Sequence, residues 1–395
     1  MRDNKDKCTL MYLIYYLIIL GDFEEGKIKN RRRVSAPYVY CTDVGELVRR
    51  CKEMHNVTGP CRIKIGCDSG QGFLKVTCQI LDIAVNSVHF TLILAVAAVI
   101  ETIHNLKVLF TPLNIELLST GDFPNTDEVG ISVDMKVCPM LYGMTGGAAS
   151  FPCPLCKWKR SDGLEPPYPQ DPRNMQHFIE MNRKLNDEYQ GRRDKSKFCY
   201  SVETLPILHT DPHKIIKIPT VHLHLMVNEG YKELKERMSA EEKAQFEEER
   251  KAAGVIESKY EGGTLQGNDV YKFTKAVVSN KIKIPVEEFK DLFIAADDLR
   301  HTCFGNVRKD GYADAVDNYI RCWQNAGLGV GVKIHIVQHH LIPFLLMLKH
   351  DEGLGIWSEQ GAESCHAAFK KVYERYISKK NGLVLAVCQY NFGRM

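Results

Sequence analysis

The chain has 395 residues, of which 44% are hydrophobic and 26% are charged, a balance typical of soluble globular proteins rather than disordered chains. Its formal charge of +3 is too small to indicate a nucleic-acid partner by itself. The 14 cysteines are scattered without the dense framework of a small secreted domain, which favours a reducing compartment. This length allows one large domain with insertions or two or three smaller domains.

An apolar run, "LMYLIYYLIIL", occupies residues 10–20 behind a charged N-terminus. Its 11 residues are too few to span a bilayer, and no small-residue cleavage pattern follows them. We interpret the run as a buried strand or helix, with a signal anchor as the alternative. Residues 1–58 are therefore treated as an N-terminal segment of undefined role, and no membrane partner is expected.

The next hundred residues predict an α/β core. Strand patterns lie at 61–70, 73–83, 87–97, 130–134 and 149–156. Helical patterns lie between them at 101–110 and 135–146. This order predicts an RNase H-like core, a mixed sheet flanked by helices, although several other small α/β folds share it.

A Pro-rich break near residue 161 marks a change in pattern. Helical patterns dominate from there to about residue 332, with no internal repeat. We therefore predict a first part of the core at 59–160, a mostly helical insertion at 161–332, and a C-terminal part of the core at 333–395. The final part would carry the last catalytic helix.

Three acids are candidates for metal chemistry. Asp68 and Asp134 each end a predicted strand, where an isolated Asp is more typical of a turn or a helix cap. Glu359 and Glu363 begin an amphipathic helical pattern, where acids favour the helix dipole. Two strand-end aspartates and Glu363 can instead converge on two Mg²⁺ ions, which prefer oxygen ligands and serve phosphodiester chemistry. Ser358 and Glu359 would then keep the capping role.

A second candidate site contains the CxxC pair Cys153 and Cys156, which predicts half of a zinc site or a redox pair. The missing ligands would be histidines, and the candidates are His222, His224, His335, His339 and His340. In a helix, His335 and His339 share a face, whereas His335 and His340 diverge by about 140°. Helical geometry alone therefore favours His339.

Several blocks, in this order along the chain, resemble the catalytic core of the Transib transposases and of the large subunit of the V(D)J recombinase. "CDSGQG" is similar to the first-aspartate block of that family, and Asp134 precedes Cys153 by the 19 residues of the second block. "PTVHLHLMVNEGYKEL" and "EGGTLQGNDVYKF" are similar to segments of its insertion. "IHIVQHHLIPFLLMLKHDEGLGIWSEQGAES" resembles the segment that joins a zinc-binding histidine pair to the catalytic glutamate.

The resemblance spans about residues 60–377 and implies specific roles. Asp68, Asp134 and Glu363 would be catalytic ligands of two Mg²⁺ or Mn²⁺ ions. One structural zinc would be held by Cys153, Cys156, His335 and His340, with His339 in reserve. The implied enzyme nicks one strand of DNA, and the freed 3′-hydroxyl then attacks the opposite strand to leave a hairpin.

The resemblance also implies double-stranded DNA with terminal inverted repeats as the partner, a homodimer and a nuclear location. Only about 60 residues precede the matching blocks, so we expect a truncated or domesticated copy of a DDE-type transposase. The alternative is a catalytically inactive, domesticated DNA-binding or interaction protein. A third hypothesis is an unrelated RNase H-like nuclease or a zinc-stabilised α/β protein.

Overall fold

The computed structural model describes residues 16–27, 30–83, 87–115, 126–146, 148–164, 171–189, 195–258, 263–349 and 351–394. These residues form two compact units. The first, which we call the sheet unit, contains the residues up to Trp158, Asp171–Lys217 and Glu359–Met395. The second, the helical unit, contains Lys159–Gln170 and Ile218–Ser358.

Seven strands form the mixed sheet of the sheet unit, in the spatial order β1-β2-β5-β4-β3-β6-β7. Their bounds are Tyr16–Glu25 (β1), Arg32–Cys41 (β2), Cys61–Gly70 (β3), Phe73–Ile80 (β4), Thr91–Ala97 (β5), Thr126–Val133 (β6) and Ile216–Lys217 (β7). The neighbouring strands β1, β2, β5, β4 and β3 pair antiparallel in that order, whereas β3, β6 and β7 run parallel to one another.

Helices of the sheet unit are numbered along the whole chain. Their bounds are Val44–Met54 (α1), Ile103–Phe110 (α2), Val137–Leu141 (α3), Met175–Glu188 (α4), Lys195–Phe198 (α5), Pro212–Ile215 (α6), Gln360–Tyr373 (α15) and Gly382–Phe392 (α16). Helix α15 packs against β3, and α16 packs against β5 and α15. The prediction of an α/β protein with a mixed sheet flanked by helices is therefore confirmed.

The helical unit contains the intervening helices and a short hairpin. Its helices are Thr220–His224 (α7), Val227–Arg237 (α8), Ala240–Ala252 (α9), Gly267–Val278 (α10), Glu287–Cys303 (α11), Tyr312–Asn325 (α12), Val332–His339 (α13) and Leu341–Met347 (α14). Strands Glu257–Ser258 (β8) and Thr264–Leu265 (β9) form the hairpin. Edge-to-face contacts of Phe273 with Tyr231 and Phe293 lie in its core.

The last strand of the large sheet is not where the sequence pattern predicts it. Residues 149–156 make no strand, and Cys156 has only an isolated bridge to Pro172. Pro152 and Pro154 explain the difference, because proline has no N–H to donate to a ladder. The strand that pairs with the other side of β6, away from β3, is instead β7, which has two residues.

The apolar run at 10–20 is only partly described, because residues 10–15 lie outside the described ranges. Its remaining residues begin β1, which pairs with β2 alone and so forms an edge of the sheet. Tyr16 is buried, but Leu17 is 49% exposed and Leu20 is 73% exposed. The expected burial is therefore wrong for this part of the run. Within the described ranges, none of the helices combines the length and apolarity needed to cross a membrane.

Glycines let helix α15 approach the sheet closely. A Cβ on Gly66 of β3 would lie 2.8 Å from the Cβ of Ala362, and one on Gly361 would lie 2.5 Å from Gln79 Nε2. A Cβ on Gly70 would lie 2.6 Å from Cγ of His366. Larger side chains at these three positions would push the helix away from β3 and β4.

The side chain of Asn391, on α16, makes hydrogen bonds to the backbone of Ile93 in β5 that a neighbouring strand would otherwise make. The Asn391 Oδ1 accepts from the Ile93 N–H at 2.9 Å, and its Nδ2 donates to the Ile93 carbonyl at 3.0 Å. Both groups are buried, so an unpaired N–H there would be costly.

We expect Asn391→Leu to lower the free energy of unfolding by about 1–3 kcal/mol, because it leaves the Ile93 N–H without its acceptor. Urea denaturation measures the loss. Asn325→Leu, at an exposed helix end, is the matched control and should change stability by less than about 0.5 kcal/mol. Equal losses in the two variants would contradict the role of Asn391.

Candidate functional site: a carboxylate cluster

Asp68 and Asp134 emerge from neighbouring parallel strands. Asp68 lies near the end of β3, Asp134 directly follows β6, and Cys67 is paired with Val133. The two side chains therefore lie close together at the C-terminal ends of these two strands. Together with Glu101, each offers a carboxylate oxygen within 4.8 Å of the others.

Glu101 is the member of this cluster that the sequence interpretation missed. It lies between β5 and α2, and its side chain is only 3% exposed. The ammonium of Lys136 lies 2.5 Å from its carboxylate. No motif spacing links Glu101 to Asp68 or Asp134; its position shortly after a strand of the same sheet is the one signal that could have suggested it.

Glu363 lies in the first turn of α15 and is half-buried. Burial raises the pKa of its carboxyl group, and the charges of Asp68 and Asp134 raise it further. Burial also raises the pKa of Glu101, against the opposing effect of Lys136. The four acids thus form a negative cluster whose mutual repulsion a bound divalent cation would relieve.

Local hydrogen bonds orient both aspartates. Asp134 Oδ1 accepts from the backbone N–H groups of Lys136 and Val137, at 2.8 and 2.5 Å, just before α3 begins. Asp68 Oδ1 accepts from the N–H of Ser69 at 2.7 Å. These are the turn and cap interactions that each residue suggests in isolation. They are compatible with metal binding, because a carboxylate has about four acceptor sites.

Glu359 does not have the capping role expected of it. It occupies the N-cap position of α15, one residue after Ser358, but its side chain makes no capping hydrogen bond. The residue is 4% exposed, and one of its carboxylate oxygens lies within 4.8 Å of a Glu363 oxygen. Nearby, burial lowers the pKa of Lys64 to about 7, an effect that the charge of Glu359 opposes.

His366 and Lys75 add two further groups beside Asp68. His366 Nε2 lies 2.8 Å from Asp68 Oδ2, and its Nδ1 contacts the ammonium of Lys75. Lys75 is 1% exposed, and burial lowers its pKa to about 8. Neither residue belongs to a motif that the sequence interpretation used.

The CxxC pair lies in the sheet unit. Cys153 and Cys156 are buried, and their sulfur atoms lie within 4.8 Å of each other. Arg173, also fully buried, donates through Nε to the carbonyl oxygens of both cysteines, at 3.0 and 2.8 Å. The loop is therefore rigidly supported, and no disulfide joins any of the described cysteines.

The candidate histidines lie in the helical unit. Helix α13 ends at His339, so His340 is no longer held to helical spacing. Ring centroids of His335 and His340 are 5.1 Å apart, and those of His335 and His339 are 4.9 Å apart. Helical geometry therefore does not separate His339 from His340. The other two candidates, His222 and His224, lie on α7, which packs against α13.

Asp68, Glu101 and Asp134 fit a hard divalent cation, because their donors are oxygens that lie within 4.8 Å of one another. Neither a protein-family model nor a curated protein matches the chain. The function is accordingly inferred from the geometry of the cluster.

Because the pKa of Glu363 is raised, the stability of the fold should depend on pH when no divalent cation is added. A folded-state pKa above the ordinary value of about 4.3 gives a stabilising contribution that is present below that pH. The contribution is lost as the pH rises through the raised pKa. Glu363→Gln cannot ionise, so we expect this variant to melt at a higher temperature than the wild type at pH 8.

The difference should disappear near pH 4, and thermal denaturation followed by circular dichroism measures it. Glu374→Gln, an exposed position just after the same helix, serves as the control and should match the wild type at both pH values. A Glu363→Gln variant that melts below the wild type at pH 8 would show that the cluster is not under repulsion.

Proposed function

We propose that the protein is a DDE-type endonuclease, similar to the Transib transposases, that cleaves and transfers DNA strands by two-metal-ion chemistry. The observation that carries the proposal is the convergence of Asp68, Glu101 and Asp134 to within 4.8 Å, beside Glu363. The strand order β5-β4-β3-β6-β7, three antiparallel strands followed by two parallel ones, is compatible with an RNase H-like core. It supports the proposal.

The four carboxylates would hold the ions. When bound, two Mg²⁺ ions would stabilise the attacking and leaving oxygens of an in-line phosphodiester displacement. Asp68, Glu101 and Asp134, whose carboxylate oxygens lie within 4.8 Å of one another, would share the ions with Glu363. Glu101 and Glu363, whose pKa values burial raises, would have to be ionised to serve as ligands.

A basic segment beside the carboxylates supports the proposal that the substrate is a polyanion. The end of α15 and the turn after it expose five cations: Lys370, Lys371, Arg375, Lys379 and Lys380. Lys370 also donates to Gln71, in the turn that follows the strand of Asp68, at 3.1 Å. DNA phosphates bound by these groups would lie on the same side of the sheet as the acids. From the family resemblance we further propose terminal inverted repeats as the substrate, a homodimer and a nuclear location.

Nicking of supercoiled plasmid tests the proposal. We expect the purified protein to nick DNA in Mg²⁺ or Mn²⁺ but not in EDTA. Asp68→Asn and Glu101→Gln should each reduce the rate by at least about 100-fold, equivalent to about 2.7 kcal/mol of transition-state stabilisation. Glu53→Gln, an exposed acid on α1, is the matched control and should keep the wild-type rate.

Nicking that persists unchanged in Asp68→Asn would show that the activity belongs to another site or to a contaminant. A wild-type protein that binds Mn²⁺ and DNA but never nicks would favour the inactive, domesticated alternative.

From the family resemblance, we propose one structural Zn²⁺ as the second metal, with Cys153, Cys156, His335 and His340 as ligands. Thiolates and imidazoles are the donors that zinc prefers. Within the sheet unit the two sulfurs lie within 4.8 Å of each other, and within the helical unit the same holds for one nitrogen of each imidazole. Such an ion would contribute directly to folding stability.

We expect one equivalent of zinc per chain by elemental analysis, lost together with thermal stability in Cys153→Ser and His340→Ala. Cys199→Ser, a buried cysteine of the same unit, controls for the loss of a core thiol and should retain the metal. His339→Ala should also retain it. Zinc loss in His339→Ala alone would make His339 the ligand, and a metal-free wild type with an unchanged melting temperature would refute the site.

A further inference from the structure

Three buried or half-buried side chains form a hydrogen-bonded chain from β4 through α15 to β3, which we call the Lys75–His366–Asp68 chain. Asp68 and Lys75 are directly opposite each other on the antiparallel strands, so their side chains point to the same face of the sheet. His366 lies between them, with Nδ1 at the Lys75 ammonium and Nε2 at 2.8 Å from Asp68 Oδ2.

The chemistry of the two ends determines which ring nitrogen carries the proton. An ammonium can only donate hydrogen bonds, and a carboxylate can only accept them. His366 Nδ1 therefore accepts from Lys75, and Nε2 carries the proton that is donated to Asp68.

Neighbouring groups restrict the positions of the Lys75 and His366 side chains. The Lys75 ammonium also donates to the Gly70 carbonyl at 3.2 Å, and it lies 5.6 and 5.8 Å from the ring centroids of Phe73 and Phe369. His366 is 8% exposed and fits only because Gly70 has no side chain. Lys75 and His366 are thus confined by packing as well as by hydrogen bonds.

We propose that His366 is a positioning residue of the cation site, and that Lys75, by donating to Nδ1, keeps that nitrogen unprotonated. The hydrogen bond from Nε2 orients the carboxylate of Asp68. Because His366 follows Glu363 by three residues on the same helix, it also fixes the distance between the first and third acids. This inference rests on the proposed function, since it assigns the support of the same carboxylates.

Groups that orient a metal ligand in this way typically account for about 10–100-fold in metal affinity. Electron paramagnetic resonance measures Mn²⁺ binding to the 395-residue protein, prepared without other divalent cations, and does not require DNA cleavage. We expect His366→Ala to weaken Mn²⁺ binding by about 10–100-fold. His366→Gln, whose Nε2 can still donate to Asp68, should recover most of the affinity.

Two further measurements separate positioning from general stability. His89→Ala, at an exposed position of the same unit, should bind Mn²⁺ as the wild type does. Nitrogen-15 spectra of the histidine side chains should show a proton on Nε2 of His366 and none on Nδ1. In Lys75→Met, Nδ1 loses its donor and becomes free to take up a proton, while Nε2 keeps the proton that it donates to Asp68. A wild-type melting curve of His366→Ala, followed by circular dichroism, would exclude unfolding as the cause of its lost affinity.

Equal Mn²⁺ affinity in the wild type and His366→Ala would overturn the inference and leave the proposed function intact. The inference would also fail if His366→Gln bound as weakly as His366→Ala, because the hydrogen bond to Asp68 would then not be the cause. A wild type that takes up no Mn²⁺ would instead overturn the proposed function, and the positioning role with it.

Discussion

The close contact of helix α15 with strand β3 is the constraint on which the carboxylate cluster depends. Asp68 and Asp134 meet because their strands are parallel neighbours, but Glu363 reaches them only through the docking of this helix. The contact exists because Gly66 and Gly70 have no side chains to keep the helix away. A methyl group at either position would therefore alter the site without touching an acid.

The same contact has an electrostatic cost. Burial and neighbouring acids raise the pKa values of Glu363 and Glu101, so the ionised cluster is unfavourable in the absence of a counter-charge. Lys136 offsets part of this charge at the surface, and Lys75 offsets part of it from within the protein. Local destabilisation of this kind is common where a fold is arranged for binding or catalysis rather than for stability alone.

The fold departs from the sequence pattern where local chemistry or strand pairing overrides hydrophobic periodicity. Residues 149–156 have the apolar content of a strand, but their prolines cannot donate to a ladder, and the edge position passes to the two residues of β7. The described part of the N-terminal apolar run does form a strand. It is largely exposed, however, because an edge strand has a neighbour on one side only.

The sequence by itself determined the α/β class, the strand-end positions of Asp68 and Asp134, and the placement of Glu363 at a helix start, because periodicity and turn chemistry are local properties. Glu101 and the supporting pair His366 and Lys75 were decided only by the tertiary structure. His366 contacts partners 298 and 291 residues away along the chain. No spacing in the sequence marks such contacts, since they arise only when strand register and helix docking bring distant side chains to one face of the sheet.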